Sequence, residues 1–422
     1  MRPGKFVQIH TLTSYPATLL NRDDAGFAKR LPFGGATRTR ISSQCLKYHW
    51  RHHQGNQALT DLDVAPTVRS RQTFDRLIAQ PLIKERYPER LVVCVVKTLM
   101  ELVLSGKKTT DSALQAILKQ EEGLASLLHS TQVTILGEPE VRYLLDLTKQ
   151  VLDELRENLP DLWTDPASNL AEGQTKAVID VCKQLSDKEL KKNLQGLGHA
   201  TGLDAALFGR MATSDLLARG DAAIHVAHAF TTHEEESEND YFSAVDELVA
   251  SSDDGELGSG HINTSELASG LFYGYVVVDV PLLVSNLEGC LRTEWENADR
   301  NLAASVVERL IHIIATVSPG AKLGSTAPYA HSELVLVEVG ASQPRTLANA
   351  FRNPVERKAD LLTNTYKQLA RHLEELDVMY DSKEDRRLSA VGPVELLTGG
   401  VGVDKTVPLA EAAAWAASQV RG

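Results

Sequence analysis

Aromatic residues and cysteines are scarce in this chain of 422 residues. Phe, Trp and Tyr together make up 5% of the sequence, and the four cysteines are Cys45, Cys94, Cys182 and Cys290. The cysteines lie far apart, and no pair has C-x-x-C spacing, which argues against a disulfide framework and against a zinc knuckle. Hydrophobic residues still make up 43% of the chain, which is ample for a folded core.

Long hydrophobic runs and an overall excess of basic charge are also missing. The most apolar run, Leu91 to Leu104, contains Lys97 and Glu101 and is too short to span a bilayer. Residues 6–12 are too short and too polar for a signal peptide. The formal net charge is −12, so the protein is not basic all over. We expect a soluble, cytoplasmic protein that does not associate with membranes.

Familiar catalytic motifs are missing as well. The sequence has no G-x-x-x-x-G-K-[ST] phosphate loop and no G-x-S-x-G elbow. His225, His228 and His233 lie next to three glutamates and could form a metal site. The alternation of residues 222–230 instead predicts a strand that directs His225 and His228 to opposite faces. The absence of a strong catalytic motif weakens every enzyme hypothesis. A metal-dependent RNA endonuclease using the three histidines is the alternative.

The basic residues concentrate near the N-terminus. Residues 1–56 hold nine Lys or Arg and two Asp or Glu, a balance of +7 in a chain of net −12, so the remaining residues carry −19. Ser42 or Ser43 can cap a helix, and a helix N-terminus offers backbone N–H groups to an anion. Basic, hydroxyl and amide side chains surround this point: Asn21, Arg22, Lys29, Arg30, Arg38, Arg40, Gln44 and Lys47. This combination is typical of contact with a phosphate backbone without base readout.

The pattern of apolar residues predicts an α+β fold. Residues 6–12 alternate like a half-buried strand, and the turn-rich stretch from Ser14 to Gly35 predicts a long loop. From residue 65 to about 200 apolar residues recur at helical spacing, which predicts an inserted helical subdomain. Strand character returns at 271–280 and 333–339, with helical periodicity between them. This order fits a ferredoxin-like core with insertions.

An acidic segment interrupts the second half of the chain. Residues 233–256 contain ten Asp or Glu and no Lys or Arg. Carboxylates without basic partners are costly to bury, so the segment is expected to be exposed. Their spacing does not match an EF-hand loop.

Several motifs together resemble a known family. Asn21–Asp24, Gly34-Gly35 and Arg40–Lys47 are similar to the N-terminus of the CasC-type backbone subunit of type I-E CRISPR Cascade, in the crRNA-binding "Cas seven" superfamily. Further motifs follow in the family's order: Gly209–Ser214, Ala227–His233, Tyr241–Leu248, Gly270–Tyr273, Pro319–Lys322 and Ala348–Phe351. The helical insertion and the region beyond about 352 carry no matched motif.

The resemblance implies a right-hand-shaped α+β fold: an RRM-like (ferredoxin-like) palm, a large helical finger insertion and a β-hairpin thumb. The implied boundaries are 1–64 for the N-terminal part of the palm, 65–203 for the fingers, 204–221 for a further palm segment, 222–270 for the thumb hairpin, and 271–422 for the rest of the palm and the tail.

The resemblance also implies a non-catalytic role without a cofactor. The protein would bind CRISPR RNA, and neighbouring copies would line up head-to-tail along it. The thumb would flip out nucleotides at intervals, leaving the bases between them to pair with target DNA. Other Cascade subunits and a recruited nuclease-helicase are the further partners that the family implies.

Site residues follow from the same resemblance. Lys29, Arg40, Ser42, Gln44 and Lys47 fall on the family's RNA-contacting positions, and Asn21 and Arg22 lie beside them. Arg38, which would share a face with Arg40 in an extended chain, and Lys322 are further expected contacts to the RNA backbone. Met211 matches a methionine that wedges against a base, and Phe242 matches a thumb aromatic at the flipped nucleotide. Two stretches depart from the family: the residues before Arg40 are less basic than is common, and Leu323–Ser325 stand where an arginine is common.

Overall fold

The structure is a computed structural model in which most of the chain is described. The described residues are 4–120, 122–164, 170–185, 190, 193–194, 202–209, 221–245, 259–358, 360–382, 384–399, 401–403 and 405–422, with the backbone alone for 164, 237, 242–245 and 259–263. The chain divides into two compact units. The first comprises Met1–Leu62, Ile224–Pro281 and Asp299–Gly422, and the second comprises Asp63–Ala223 and Leu282–Ala298.

The strands and helices of the described residues confirm the α+β class. The strands are β1 (Phe6–Thr18), β2 (Arg30–Phe33), β3 (Ala36–Ile41), β4 (Thr67–Ser70), β5 (Thr134–Gly137), β6 (Ile224–Val226), β7 (Ala229–Thr231), β8 (Ser237–Val245), β9 (Ser259–Asp279), β10 (Ser332–Gly340) and β11 (Asp385–Ala390). The helices are α1 (Ser43–Arg51), α2 (Gln80–Lys84), α3 (Glu89–Ser105), α4 (Asp111–Lys119), α5 (Glu138–Asn158), α6 (Asp161–Thr164), α7 (Glu172–Gln184), α8 (Gly202–Phe208), α9 (Val280–Glu288), α10 (Asn301–Thr316), α11 (Leu323–Thr326), α12 (Leu361–Tyr380) and α13 (Leu409–Arg421). Within the described residues, every helix is too short or too polar to cross a bilayer.

An antiparallel sheet forms the first unit. Its strands lie in the order β11-β10-β1-β9-β7-β3-β2, and β6 and β8 also pair with β9. Strand β1 is central because it pairs with β9 on one side and β10 on the other. Helix α12 packs Tyr366 and Leu369 into a core with Leu12, Tyr273 and Leu336 from the sheet. Helices α10 and α13 pack against each other, and α13 also contacts β10 and β11.

Strand β1 is more deeply buried than its alternating sequence predicts. Residues Val7 to Leu12 are all buried, so the expectation of a half-buried strand is wrong. The polar residues of β1 are accommodated by hydrogen bonds rather than by solvent. His10 Nε2 lies 2.9 Å from the Glu338 carboxylate, and His10 Nδ1 lies 2.9 Å from the Tyr273 hydroxyl. Since a carboxylate can only accept, Nε2–H is the donor to Glu338 and Nδ1 accepts from Tyr273.

Two arginines complete this buried network. Arg345 and Arg386 each donate to the Glu338 carboxylate, at 2.7 Å in both cases. Burial alone would raise the pKa of Glu338, but the hydrogen bonds from His10 and Arg345 and the positive charge of Arg345 hold that pKa well below its usual range. Burial lowers the pKa of His10, which keeps the imidazole neutral. The sheet interior therefore contains an ionised carboxylate held by two guanidinium groups and a neutral histidine.

The segment predicted as one long loop is partly strand. β1 continues to Thr18, and β2 begins at Arg30, so the loop between them is shorter than the predicted Ser14–Gly35 stretch. β2 and β3 form a hairpin whose two turn residues are Gly34 and Gly35, with φ of 64° and 81°. A two-residue turn with both φ values positive favours glycine. At Gly34 a Cβ would also collide with the Arg352 carbonyl oxygen.

A second, longer hairpin is formed by β8 and β9. Their register runs from Ser237 opposite Ala268 to Val245 opposite Ser259. Glu238, Asp240 and Tyr241 on β8 are exposed. Residues 233–236 of the acidic segment therefore precede β8, residues 237–245 form it, and residues 246–256 lie outside the described residues.

The second unit is mainly helical. A π-helical turn (Phe74–Ala79) leads into α2, and α3 is buried along most of its length because its sequence is almost continuously apolar. α3 packs against α4, α5 and α7, and the strand pair β4–β5 lies in the same unit. Leu99, Leu144 and Leu152 lie in its core. The helical periodicity that predicts an insertion from residue 65 onward thus corresponds to helices in the structure.

Candidate nucleic-acid interface

Helix α1 begins at the point that the sequence predicts. Ser42 is the N-cap, and its hydroxyl oxygen accepts a hydrogen bond from the Cys45 backbone N–H at 3.3 Å. The Asn21 side-chain oxygen accepts from the Ser42 backbone N–H at 3.0 Å. The first turn of α1 contains no acidic residue. The positive end of the helix dipole is therefore not neutralised from within the helix.

The loop before β2 is folded tightly against this helix start. One Asp23 carboxylate oxygen accepts from the backbone N–H groups of Ala25 and Phe27, at 3.0 and 2.9 Å. The backbone N–H of Ala28 donates to the buried carboxylate of Glu266 at 2.7 Å. The Lys29 carbonyl oxygen accepts from Arg40 N–H at 2.7 Å. These bonds hold Lys29 beside the strand that leads into α1.

A third segment reaches the same corner. The Ala321 backbone N–H donates to the Leu19 carbonyl oxygen at 2.7 Å, and the Cys45 thiol lies 3.9 Å from the Pro319 carbonyl oxygen. Lys322 follows directly, in a left-handed backbone conformation with φ of 51°. Burial raises the pKa of the Cys45 thiol, and the positive charge of Lys29 opposes this increase. Three segments that are far apart in sequence therefore form one surface: Leu19–Lys29, Arg40–Cys45 and Pro319–Lys322. We call this surface the α1 corner.

His228 joins the α1 corner through its ring. The Ser43 backbone N–H donates to His228 Nδ1 at 3.1 Å, and a guanidinium nitrogen of Arg40 lies 3.5 Å from the same atom. Burial and the positive charge of Arg40 lower the pKa of His228. The histidine is thus neutral at pH 7 and orients the helix start and Arg40. The sequence predicts His228 as a polar strand residue, with a metal ligand as the alternative, but the structure places it between β6 and β7 with its ring at the α1 corner.

The acidic partners of Arg30 are not predicted by the sequence, although Arg30 itself belongs to the predicted basic cluster. Arg30 forms ion pairs with Glu235 and with the buried Glu266. These pairs tie β2 to the start and end of the β8–β9 hairpin region. The opposite charges could have suggested a pairing, but their separation of more than 200 residues gave no signal of contact.

Arg38 corrects the predicted site. Its side chain is 0% exposed, although Arg40 two residues later is half-buried. The guanidinium donates to four backbone carbonyl oxygens: those of Thr231 (3.1 Å), Thr232 (2.7 Å), Phe351 (2.9 Å) and Arg352 (3.4 Å). Arg38 therefore joins β3 and β7 to the 351–352 segment, and its guanidinium is not available to RNA in this conformation.

The remaining predicted contacts divide into three groups. The hydrogen bonds described above bring together four of them at the α1 corner: Asn21, Lys29, Arg40 and Ser42. Arg22 pairs with Ala28 in an isolated antiparallel β-bridge within the same loop. Gln44 and Lys47 lie on α1, and Lys322 lies in the segment that contacts Leu19. Met211 lies outside the described residues. Phe242 is described by its backbone alone, opposite Asn263 in the β8–β9 hairpin.

The three candidate metal ligands are used or placed differently. His233 is buried, its Nε2 accepts from the Leu271 backbone N–H at 3.2 Å, and its Nδ1 lies 2.6 Å from the Glu234 carbonyl oxygen. His228 orients the α1 corner, and His225 is exposed on β6. Among the residues that the structure describes, no group of three His, Cys, Asp or Glu side chains is placed to hold a metal ion. The geometry offers no support for the endonuclease alternative.

The fold and the α1 corner together define an α+β protein with a basic surface built on a helix N-terminus. Comparison with known proteins gives its family. A profile of CT1975-like proteins, a CRISPR-associated family, matches residues 7–410. The chain belongs to this family. The comparison with curated proteins returns no match.

Two solved structures are similar over nearly the whole chain. A chain of a "CRISPR RNA-guided surveillance complex, pre-nicking" is 25% identical with a TM-score of 0.71, and the match covers 98% of this chain and 100% of that chain. A chain of a "CRISPR RNA-guided surveillance complex" is 21% identical with a TM-score of 0.63, over 98% and 99% of the two chains. The second match is evidence for the fold alone.

Proposed function

We propose that this protein is the CRISPR RNA-binding backbone subunit of a Cascade-type surveillance complex. The observation that carries the proposal is the end-to-end match to a subunit of an RNA-guided surveillance complex, which covers 98% of this chain. A match over the whole of both chains supports a shared role as a subunit, whereas a shared domain would match only in part.

The proposed RNA-binding surface is the α1 corner. Lys29, Arg40, Lys47 and Lys322 supply positive charge, and the start of α1 supplies backbone N–H groups and the helix dipole. Asn21, Arg22, Ser42 and Gln44 supply further polar contacts. Such groups bind phosphates without reading bases, which suits a protein that must accept every guide sequence.

We further propose the finer features that the resemblance implies. The complex is of type I-E, and copies of the subunit assemble head-to-tail along the guide RNA. The β8–β9 hairpin acts as the thumb, with Phe242 and Met211 at a flipped nucleotide. Other Cascade subunits complete the complex, the guide pairs with target DNA, and a recruited nuclease-helicase cleaves it. The subunit itself is not catalytic.

Binding of labelled single-stranded RNA to the full chain tests this proposal. Lys47→Ala should weaken binding to a similar extent for unrelated RNA sequences. The dependence of log affinity on log salt should become shallower by about 0.7 for one lost phosphate contact. Lys367→Ala, which removes an exposed lysine of α12, is the matched control and should change neither quantity. Sequence-dependent loss of binding would contradict contact with the backbone alone.

The same RNA separates the proposal from the endonuclease alternative. Incubation of the wild-type chain with RNA and Mg²⁺ or Mn²⁺ should leave the RNA intact. Turnover that His225→Ala abolishes would overturn the non-catalytic reading.

A further inference from the structure

The outward side of α1 carries more than the predicted RNA contacts. Gln44, Tyr48 and His52 follow one another at intervals of four residues, so they lie along one side of the helix and its C-terminal end. All three are exposed, whereas Trp50 is buried. Lys47 and Arg51, also four residues apart, lie along the neighbouring side. The exposed side of α1 thus continues from the α1 corner as a strip with an aromatic ring at its centre.

The ring of Tyr48 is held in place from one side. It is 55% exposed, and it stacks on the imidazole of His52 with a centroid distance of 4.2 Å and an interplanar angle of 29°. His52 is itself fixed, because its Nδ1 donates to the Tyr48 carbonyl oxygen at 2.8 Å. A ring that is already ordered loses little conformational freedom when a second ring stacks on it.

We infer that Tyr48 is a stacking platform for a base of the bound single-stranded RNA, with His52 as its support. This inference rests on the proposed function. With a rise of 1.5 Å per residue, Tyr48 lies about 6 Å beyond Gln44 along α1. A phosphate at the α1 corner and a base on Tyr48 can therefore belong to the same or the next nucleotide. Stacking on an aromatic ring tolerates any base, as a variable guide requires.

Two RNAs of equal length test the role of Tyr48: one with all its bases and one that carries abasic riboses along the backbone. With the full-length protein, Tyr48→Ala should weaken binding of the base-bearing RNA by about 5- to 150-fold. It should leave binding of the abasic RNA and the salt dependence unchanged. Tyr48→Phe keeps the ring and should bind like the wild type. Tyr380→Ala, which removes another exposed tyrosine, is the matched control.

Other binding results separate a failure of the stacking inference from a failure of the proposed function. If Lys47→Ala weakens RNA binding but Tyr48→Ala does not, the stacking inference is wrong and the proposed function stands. An equal loss on abasic RNA would also overturn stacking. If Tyr48→Ala impairs self-association but not RNA affinity, Tyr48 faces a neighbouring copy and the inference fails. If the wild type binds neither RNA, the proposed function fails and the inference falls with it.

Discussion

Strand β3 contains one arginine that is buried in the fold and one that lies at the proposed RNA-binding surface, and replacing each by alanine tests the two roles separately. Arg38 is buried and bonded to four carbonyl oxygens, whereas Arg40 is half-buried at the α1 corner. Arg38→Ala should destabilise the first unit and leave the RNA affinity of the folded protein unchanged. Arg40→Ala should weaken RNA binding and leave the fold nearly as stable as before.

The size of the Arg38 effect follows from its shortest hydrogen bonds. Those to the Thr232 and Phe351 carbonyl oxygens measure 2.7 and 2.9 Å. A hydrogen bond to a charged group contributes about 1.5–3 kcal/mol, so the loss of these two lowers the local free energy of unfolding by about 3–6 kcal/mol. Arg40 donates through Nε to the Arg30 carbonyl oxygen at 3.1 Å, in a more exposed position. Its replacement should cost at most about 1 kcal/mol.

Hydrogen exchange measures the local stability at the segments that Arg38 joins. Peptides covering residues 229–235 and 348–356 should lose protection by about 150- to 20,000-fold in Arg38→Ala. The same peptides should exchange almost as in the wild type in Arg40→Ala, and RNA titrations of both variants complete the comparison. Unchanged exchange together with lost RNA affinity in Arg38→Ala would refute the structural role and restore Arg38 as an RNA contact.

Two further predictions concern the buried network and the long hairpin. Stability of the first unit should fall as pH drops below about 6.5, because the unfolded chain then protonates His10 while the folded chain does not. Glu338, whose pKa is depressed on folding, stabilises the fold above its unfolded pKa of about 4.3, and this stabilisation is lost as pH falls further. His10→Gln should reduce the loss of stability that begins below about pH 6.5. A stability–pH profile identical to that of the wild type would contradict a neutral His10 in the folded protein. Phe242→Ala should keep RNA affinity but reduce the periodic reactivity of guide nucleotides to chemical probes. An unchanged reactivity pattern would contradict the proposed role of Phe242 at the flipped nucleotide.

Much of the fold could be predicted from local patterns in the sequence. Ser42 was identified as a possible N-cap because serine precedes a run of helical spacing, and β9 and β10 were found from their β-branched residues. The burial of β1 was not predictable from its own residues. Gln8 and His10 are polar, and their burial depends on partners such as Tyr275 and Glu338, more than 260 positions away.

The candidate site shows the same limit. Local spacing placed Arg38 and Arg40 together, since residues two apart in a strand share a face. Which of them reaches solvent depends on whether another segment covers that face. Residues 351–352 cover Arg38, and no pattern within β3 reports this. Likewise, the sequence does not predict that His228 lies at the α1 corner, because its partner Ser43 is 185 positions away in the chain.

Nuclease footprinting of guide RNA in complex with the full chain tests the central claim most directly. If the protein is a backbone subunit that assembles head-to-tail, protection should recur at a regular interval along the RNA and extend as more protein is added, because contacts that do not close a ring continue along the strand. Protection at one site only, or a closed two-fold dimer that RNA does not alter, would contradict the account.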